Sequence, residues 1–63
     1  GWRYIQGTWY YFDENGYAAT GWRLINGKWY YLNPVSDGTK GALYVNTVTP
    51  DGYRVNGNGE WVA

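Results

Sequence analysis

The 63-residue chain has neither cysteine nor histidine, and each absence removes a class of chemistry. No disulfide can brace so small a fold, and the usual zinc, haem and iron–sulfur ligands are missing. Charge is scarce as well: five Lys and Arg face five Asp and Glu, a net charge of zero. No long-range positive field is therefore available to attract nucleic acid or an anionic membrane surface. No apolar run approaches the roughly 20 residues of a membrane-spanning helix, and no basic start leading into an apolar stretch marks a signal peptide. The chain opens on Gly1 rather than Met, as expected of a piece of a longer protein whose export signal would lie elsewhere. Catalysis would have to rest on carboxylates, and Asp13, Glu14, Asp37, Asp51 and Glu60 stand nearly all in turn segments rich in Gly and Asn. Their spacings suggest no pair held across a cleft, as glycoside hydrolysis requires. The expectation is a protein that is not an enzyme and takes no metal or cofactor.

What the chain does have is rings and glycines. Fourteen Trp, Tyr and Phe outnumber the ten Ile, Leu and Val, and Gly supplies ten further positions. Aromatic residues favour strands, while Gly, Asn and Asp favour turns, so the composition indicates short strands joined tightly and gives helices little support.

An internal repeat organises these residues. Gly1 to Asp13 aligns with Gly21 to Asn33 at an offset of twenty with eight identities in thirteen positions, in the frame G-W-R-x-I-x-G-x-W-Y-Y. Trp2 matches Trp22, Gly7 matches Gly27, and Trp9 matches Trp29. A third, degraded copy is expected after it, because Gly38 precedes Tyr44 by the spacing that separates Gly16 from Trp22. Tyr44 would then hold the first-strand aromatic position of that copy. The divisions expected are residues 1–20, 21–40 with an inserted loop, and 41–63 as a terminal repeat with a capping hairpin.

Asn26-Gly27 suits the two positive φ angles of a two-residue type I′ hairpin turn, and the register follows from it. Ile25 opposes Lys28, Leu24 opposes Trp29, Arg23 opposes Tyr30 and Trp22 opposes Tyr31. Side chains alternate across a strand pair, so Trp22, Leu24, Trp29 and Tyr31 share one face. With Gln6-Gly7 at the first turn, Trp2, Tyr4, Trp9 and Tyr11 do the same. The other face carries Ile5, Tyr10 and Phe12, then Ile25, Tyr30 and Leu32, which are read as mainly structural. Asp13 to Gly16 and Asn33 to Gly38 read as connectors, and Asn56 to Gly59 as the turn of a last hairpin. A lone hairpin is marginal in water, so the units must stack, which gives an all-β tandem β-hairpin solenoid with ring-lined clefts at its junctions.

The segments G-W-R-L-I-N-G-K-W-Y-Y-L and D-E-N-G-Y-A-A-T-G-W resemble the choline-binding, or cell-wall-binding, repeats of Gram-positive surface proteins, autolysins and phage lysins. The likeness is close over residues 1–33, and residues 34–63 look like variant terminal repeats of the same wider family. That resemblance implies a secreted or cell-surface module in which choline on teichoic acid sits between successive hairpins. It is enclosed there by rings at Trp2, Trp9 and Tyr11, then at Trp22, Trp29 and Tyr31, with Tyr44 continuing the series. Physics agrees, since a quaternary ammonium donates no hydrogen bond and is best held by aromatic faces.

Two other readings fit the same residues. Rings also stack on sugars, and Gln6, Asn26, Asn33 and Asn46 could fix hydroxyls, so a glucan is the alternative ligand. A ring stripe is also how a core or a homodimer interface is built, in which case every ring is buried and no ligand binds.

Overall fold

The computed structural model describes residues 1–63 and is all-β, with seven short strands and no helix. Strand β1 (Trp2–Ile5) pairs antiparallel with β2 (Thr8–Tyr11), and β3 (Gly21–Ile25) pairs with β4 (Lys28–Leu32). The registers are those the turns dictate: Trp2 faces Tyr11 and Tyr4 faces Trp9, as Trp22 faces Tyr31 and Leu24 faces Trp29. Both turns are type I′ in form, with φ of 49° and 83° at Gln6 and Gly7 and 51° and 82° at Asn26 and Gly27. Their twist matches that of the flanking strands, so each hairpin closes without splaying.

The C-terminal part departs from a simple hairpin. Strands β5 (Thr47–Val48), β6 (Arg54–Val55) and β7 (Trp61–Val62) form a three-stranded sheet in that order. One turn design recurs in it and in the first connector. Asp13, Thr49 and Asn56 each donate a backbone N–H to the carbonyl four residues on and accept one from the Gly three residues on. The side-chain oxygen of that first residue then accepts the amide of the fifth: Tyr17, Tyr53 and Glu60. Because the last turn spans Asn56 to Glu60 rather than the four residues expected, Val55 opposes Trp61. Tyr53, Val55 and Trp61 thereby come to one side of the sheet.

The hydrogen bonds also fix the repeat phase. Gly1 pairs with Phe12, Gly21 with Leu32, and Asn46 with Asn56. Thr47 opposite Val55 is therefore the counterpart of Trp22 opposite Tyr31. Tyr44 holds a different place from the one its spacing predicted. Its N–H donates to the Tyr31 carbonyl, as the Ala19 N–H donates to Tyr11, so Tyr44 is the equivalent of Ala19. The connector from Asn33 to Ala42 is five residues longer than that from Asp13 to Tyr17, and counting from Gly38 misplaces everything after it.

The units meet around a small core. Leu32 is fully buried, Val55, Ala19, Ile25 and Tyr31 are nearly so, and burying a side chain such as Leu32 contributes about 1.5–3 kcal/mol. Residues 42–45 run between the two repeat hairpins, with the Leu43 N–H donating to the Trp9 carbonyl and the Tyr44 N–H to Tyr31. Glu60 bridges to Tyr30, which ties the terminal sheet to β4. Gly59 (φ 80°) lies so near Leu43 that a Cβ there would sit 2.6 Å from Leu43 Cδ2. Buried Asn33 organises the long connector: its carbonyl oxygen accepts the Val35 N–H, and its amide donates to Asp37 and Thr39. That amide is spent on the loop and is not free to fix a sugar hydroxyl. Ile5, expected inside, is 40% exposed.

Candidate ligand-binding site

Two recesses open at the junctions, and each starts from the same pair of tryptophans. The terminal recess, about 430 Å³, is lined by Trp22, Trp29, Tyr53, Trp61 and Asp51. The first recess, about 340 Å³, is lined by Trp2, Trp9 and Tyr30 together with Leu43, Val45, Gly57 and Asn58. Trp22 and Trp29 lie on one face of their hairpin by the period-2 rule, and Trp2 and Trp9 repeat this. The repeat thus supplies two walls of each recess, and neighbouring units supply the others.

In the terminal recess the rings stand at steep angles to one another. The centroids of Trp22 and Tyr53 are 5.8 Å apart with planes at 87°, and those of Tyr53 and Trp61 are 6.5 Å apart at 74°. Edge-to-face pairing of this kind contributes about 0.5–1.5 kcal/mol beyond burial. Trp29, Tyr53 and Trp61 are each between 41% and 50% exposed, so these rings are accessible to a ligand. In the first recess Trp2 packs edge-on against Trp9 at 6.4 Å and against Tyr30 at 4.9 Å. Tyr30, read from sequence as mainly structural, is a wall of this recess.

Of the seven ring positions expected to hold a ligand, Trp2, Trp9, Trp22 and Trp29 line the recesses. Tyr11, Tyr31 and Tyr44 stand behind them. Tyr11 braces Trp2 at 5.1 Å, Tyr31 braces Trp22 at 5.0 Å, and Tyr44 in turn braces Tyr31 at 5.1 Å. Burial raises the Tyr31 phenol above its ordinary pKa, with the nearby Asp51 charge and then Tyr44 adding to it, so Tyr31 stays neutral. Burial likewise raises Tyr30, reinforced by Glu60.

Sequence reasoning missed Tyr53, Trp61 and Asp51. The alternation that would place Tyr53 and Trp61 together emerges only if the last turn is given five residues, as in Asp13 to Tyr17. Asp51 is the turn carboxylate expected, but its side chain also reaches the recess. Its Oδ2 accepts the Trp22 indole N–H at 2.9 Å, and its Oδ1 accepts the Thr49 hydroxyl. The Thr49 hydroxyl above all, and then the Trp22 indole, hold this carboxyl below the usual carboxylate range, so it is ionised at neutral pH. The terminal recess therefore combines four ring walls with one negative charge and no cationic side chain. There is no group of three or more His, Cys, Asp or Glu placed to hold a metal ion.

A β-hairpin repeat protein whose ring-walled recesses form at the joints between units is a binding module. The choline-binding repeat profile matches residues 1–47, and the chain belongs to that family. Among solved structures it is similar to the choline-binding domain of Spr1274 from Streptococcus pneumoniae, at 42% identity and TM-score 0.79, covering 98% of this chain and 81% of that one. It also resembles CbpF in complex with ipratropium, at 40% identity and TM-score 0.54, over all of this chain and 25% of that one. A more distant likeness, 28% identity and TM-score 0.51 over 98% of this chain, is to alternansucrase in complex with isomaltononaose, of which it spans 6%. Comparison with curated proteins gives no match.

Proposed function

We propose that the chain is a non-catalytic attachment module that binds the trimethylammonium group of choline in its terminal recess and holds a larger protein to choline-bearing teichoic acid outside the cell. The observation that carries this reading is the set of four rings, Trp22, Trp29, Tyr53 and Trp61, around one recess with an ionised carboxylate at its edge. A methylated ammonium has charge but no N–H to donate, so ring faces suit it better than hydrogen-bond acceptors do. Each cation–π contact contributes about 0.5–2 kcal/mol, so three or four amount to roughly 2–8 kcal/mol before ordering costs, and a millimolar Kd needs about 4. A single site of this kind is weak. Two recesses on one chain, engaging a polymer with many choline groups, convert weak sites into retention.

The family membership and the likeness to a pneumococcal choline-binding domain support this reading. The test is a titration of the chain with choline chloride, followed by tryptophan fluorescence, against a parallel titration with isomalto-oligosaccharide. A saturable change with Kd on the order of millimolar is expected for choline. No response to choline at about a hundredfold that concentration would sink the proposal, and saturation by the oligosaccharide alone would make the module a glucan binder.

A further inference from the structure

Beyond the number of their rings, the two recesses differ in charge: a carboxylate lines the terminal one and none lines the first. Its origin is local. Thr49-Pro50-Asp51-Gly52-Tyr53 is one of the recurring five-residue turns, and Asp51 holds its third position. In the first connector the third position is Asn15 and in the last turn it is Asn58, both neutral. Asp51 is fixed from two sides, by the Thr49 hydroxyl within its own turn and by the Trp22 indole N–H from the facing hairpin at 2.9 Å. Each carboxylate oxygen has a second lone pair left after these two bonds, and the side chain remains solvent-exposed at the mouth of the recess.

We propose that Asp51 is the charge-reading residue of the terminal recess, giving it a preference for a quaternary ammonium over a neutral group of the same shape. The first recess, closed by Leu43, Val45 and Asn58, has no carboxylate in its lining; the Glu60 charge is felt by its Tyr30 wall, but Glu60 is not itself a wall. The proposal rests on the reading of the recess as a choline site and adds a specificity residue to it. Rings contribute a cation preference of their own through their quadrupoles, so the effect of Asp51 is an increment on that. Its exposure to water keeps the increment modest, about three- to tenfold in Kd.

The experiment compares choline with its carbon isostere, in which a tert-butyl group replaces trimethylammonium. Binding is followed through the indole N–H resonances, so that Trp22, Trp29 and Trp61 report the terminal recess and Trp2 and Trp9 the first. Asp51→Asn keeps a carbonyl oxygen to accept the Trp22 N–H and an amide to meet Thr49, but removes the charge. The expected result at the terminal recess is choline binding weakened about three- to tenfold, with the isostere unchanged. Both ligands should be unchanged at the first recess. Asp51→Ala, which also releases Trp22, should weaken both ligands at the terminal recess. An unchanged choline-to-isostere ratio in Asp51→Asn, with wild-type choline binding intact, overturns the role of Asp51 and leaves the choline site standing. Failure of the wild-type chain to bind either ligand overturns the site and, with it, this residue's role.

Discussion

The two recesses begin from identical material and end differently. Trp2 and Trp9 occupy the same register in β1–β2 as Trp22 and Trp29 in β3–β4, so half of each site is a product of the repeat frame alone. The other half depends on what passes over the hairpin. Above Trp22 and Trp29 stand a turn and a strand that offer Tyr53, Trp61 and Asp51, whereas Trp2 and Trp9 meet the segment carrying Leu43 and Val45 and the last turn at Gly57 and Asn58. In such a protein a repeat encodes a platform, and its neighbours decide what the platform holds. The terminal recess accordingly has four ring walls against three.

Removing one platform ring from each recess separates the two most sharply. Trp22→Ala deletes a wall, the donor to Asp51 and the edge partner of Tyr31 and Tyr53. Choline binding reported by Trp29 and Trp61 should weaken at least about tenfold while the Trp9 response persists, with a stability loss of about 2–4 kcal/mol. Trp2→Ala should reverse the pattern, losing the response at Trp9 and keeping it at Trp29. If either variant silences both recesses while a melting curve shows it folded, the sites are one coupled unit and the comparison between them collapses.

A subtler break lies at Gly59. Gly16 and Gly59 hold the same place in their turns, with φ of 85° and 80°, but Gly16 has open space where a Cβ would be and Gly59 has Leu43. Gly16→Ala should cost about 1 kcal/mol, the strain of a left-handed residue. Gly59→Ala adds overpacking against a wall of the first recess and should cost about 2–3 kcal/mol in urea denaturation. The first recess should lose ligand response before the terminal one. Equal costs for the two variants would mean that Leu43 simply turns aside and that the first recess has no rigid wall there.

These contrasts also show which parts of the molecule the amino-acid string encodes openly. Within residues 1–33 the hairpins, their registers and the shared ring face follow from Asn26-Gly27 and the alternation of side chains, because turn chemistry and a period of two are local rules. Trp2, Trp9, Trp22 and Trp29 were legible for that reason. Tyr53 and Trp61 were not, since their meeting depends on a one-residue difference in turn length, and in a strand one residue exchanges the faces. Tyr44 was misplaced because five extra residues between Asn33 and Ala42 break the count on which its position rested. Asp51 was visible as a turn residue, but no local rule brings its carboxylate to an indole twenty-nine positions away.

Acid should weaken the terminal recess before the first. Asp51 is held below the usual carboxylate range by Thr49 and then Trp22, and Asp37 by the hydroxyl and then the amide of Thr39. A carboxyl depressed in the folded state contributes stability above its unfolded value, about pH 3.9, and that contribution is lost as pH falls through the folded value. The melting temperature should therefore be flat from neutral pH to about 5 and decline below about 4. Asp51→Asn should flatten part of that decline, Asp37→Asn a further part, and a limb unaltered by both would assign it to other groups. At the alkaline end the signs reverse. Tyr30 and Tyr31 are raised, so their contribution is whole below about pH 10 and is lost as pH rises through their folded values.

The smallest effect lies in the turns of the two hairpins. Gln6 and Asn26 adopt nearly the same left-handed conformation at the first turn position, φ 49° and 51°, but a short Asn side chain relieves the crowding of that region through local hydrogen bonding and Gln does so poorly. Gln6→Asn should stabilise the chain by about 0.5 kcal/mol, raising the melting temperature by about 2–4 °C. The exchange Asn26→Gln should cost the same amount, since both side chains are exposed and no packing contact confuses the comparison. Shifts of equal size and opposite sign would show that the two turns are interchangeable in energy, so that the difference between the recesses does not lie in the turns. A much larger loss at Asn26 would place part of that difference in the hairpin beneath the terminal recess.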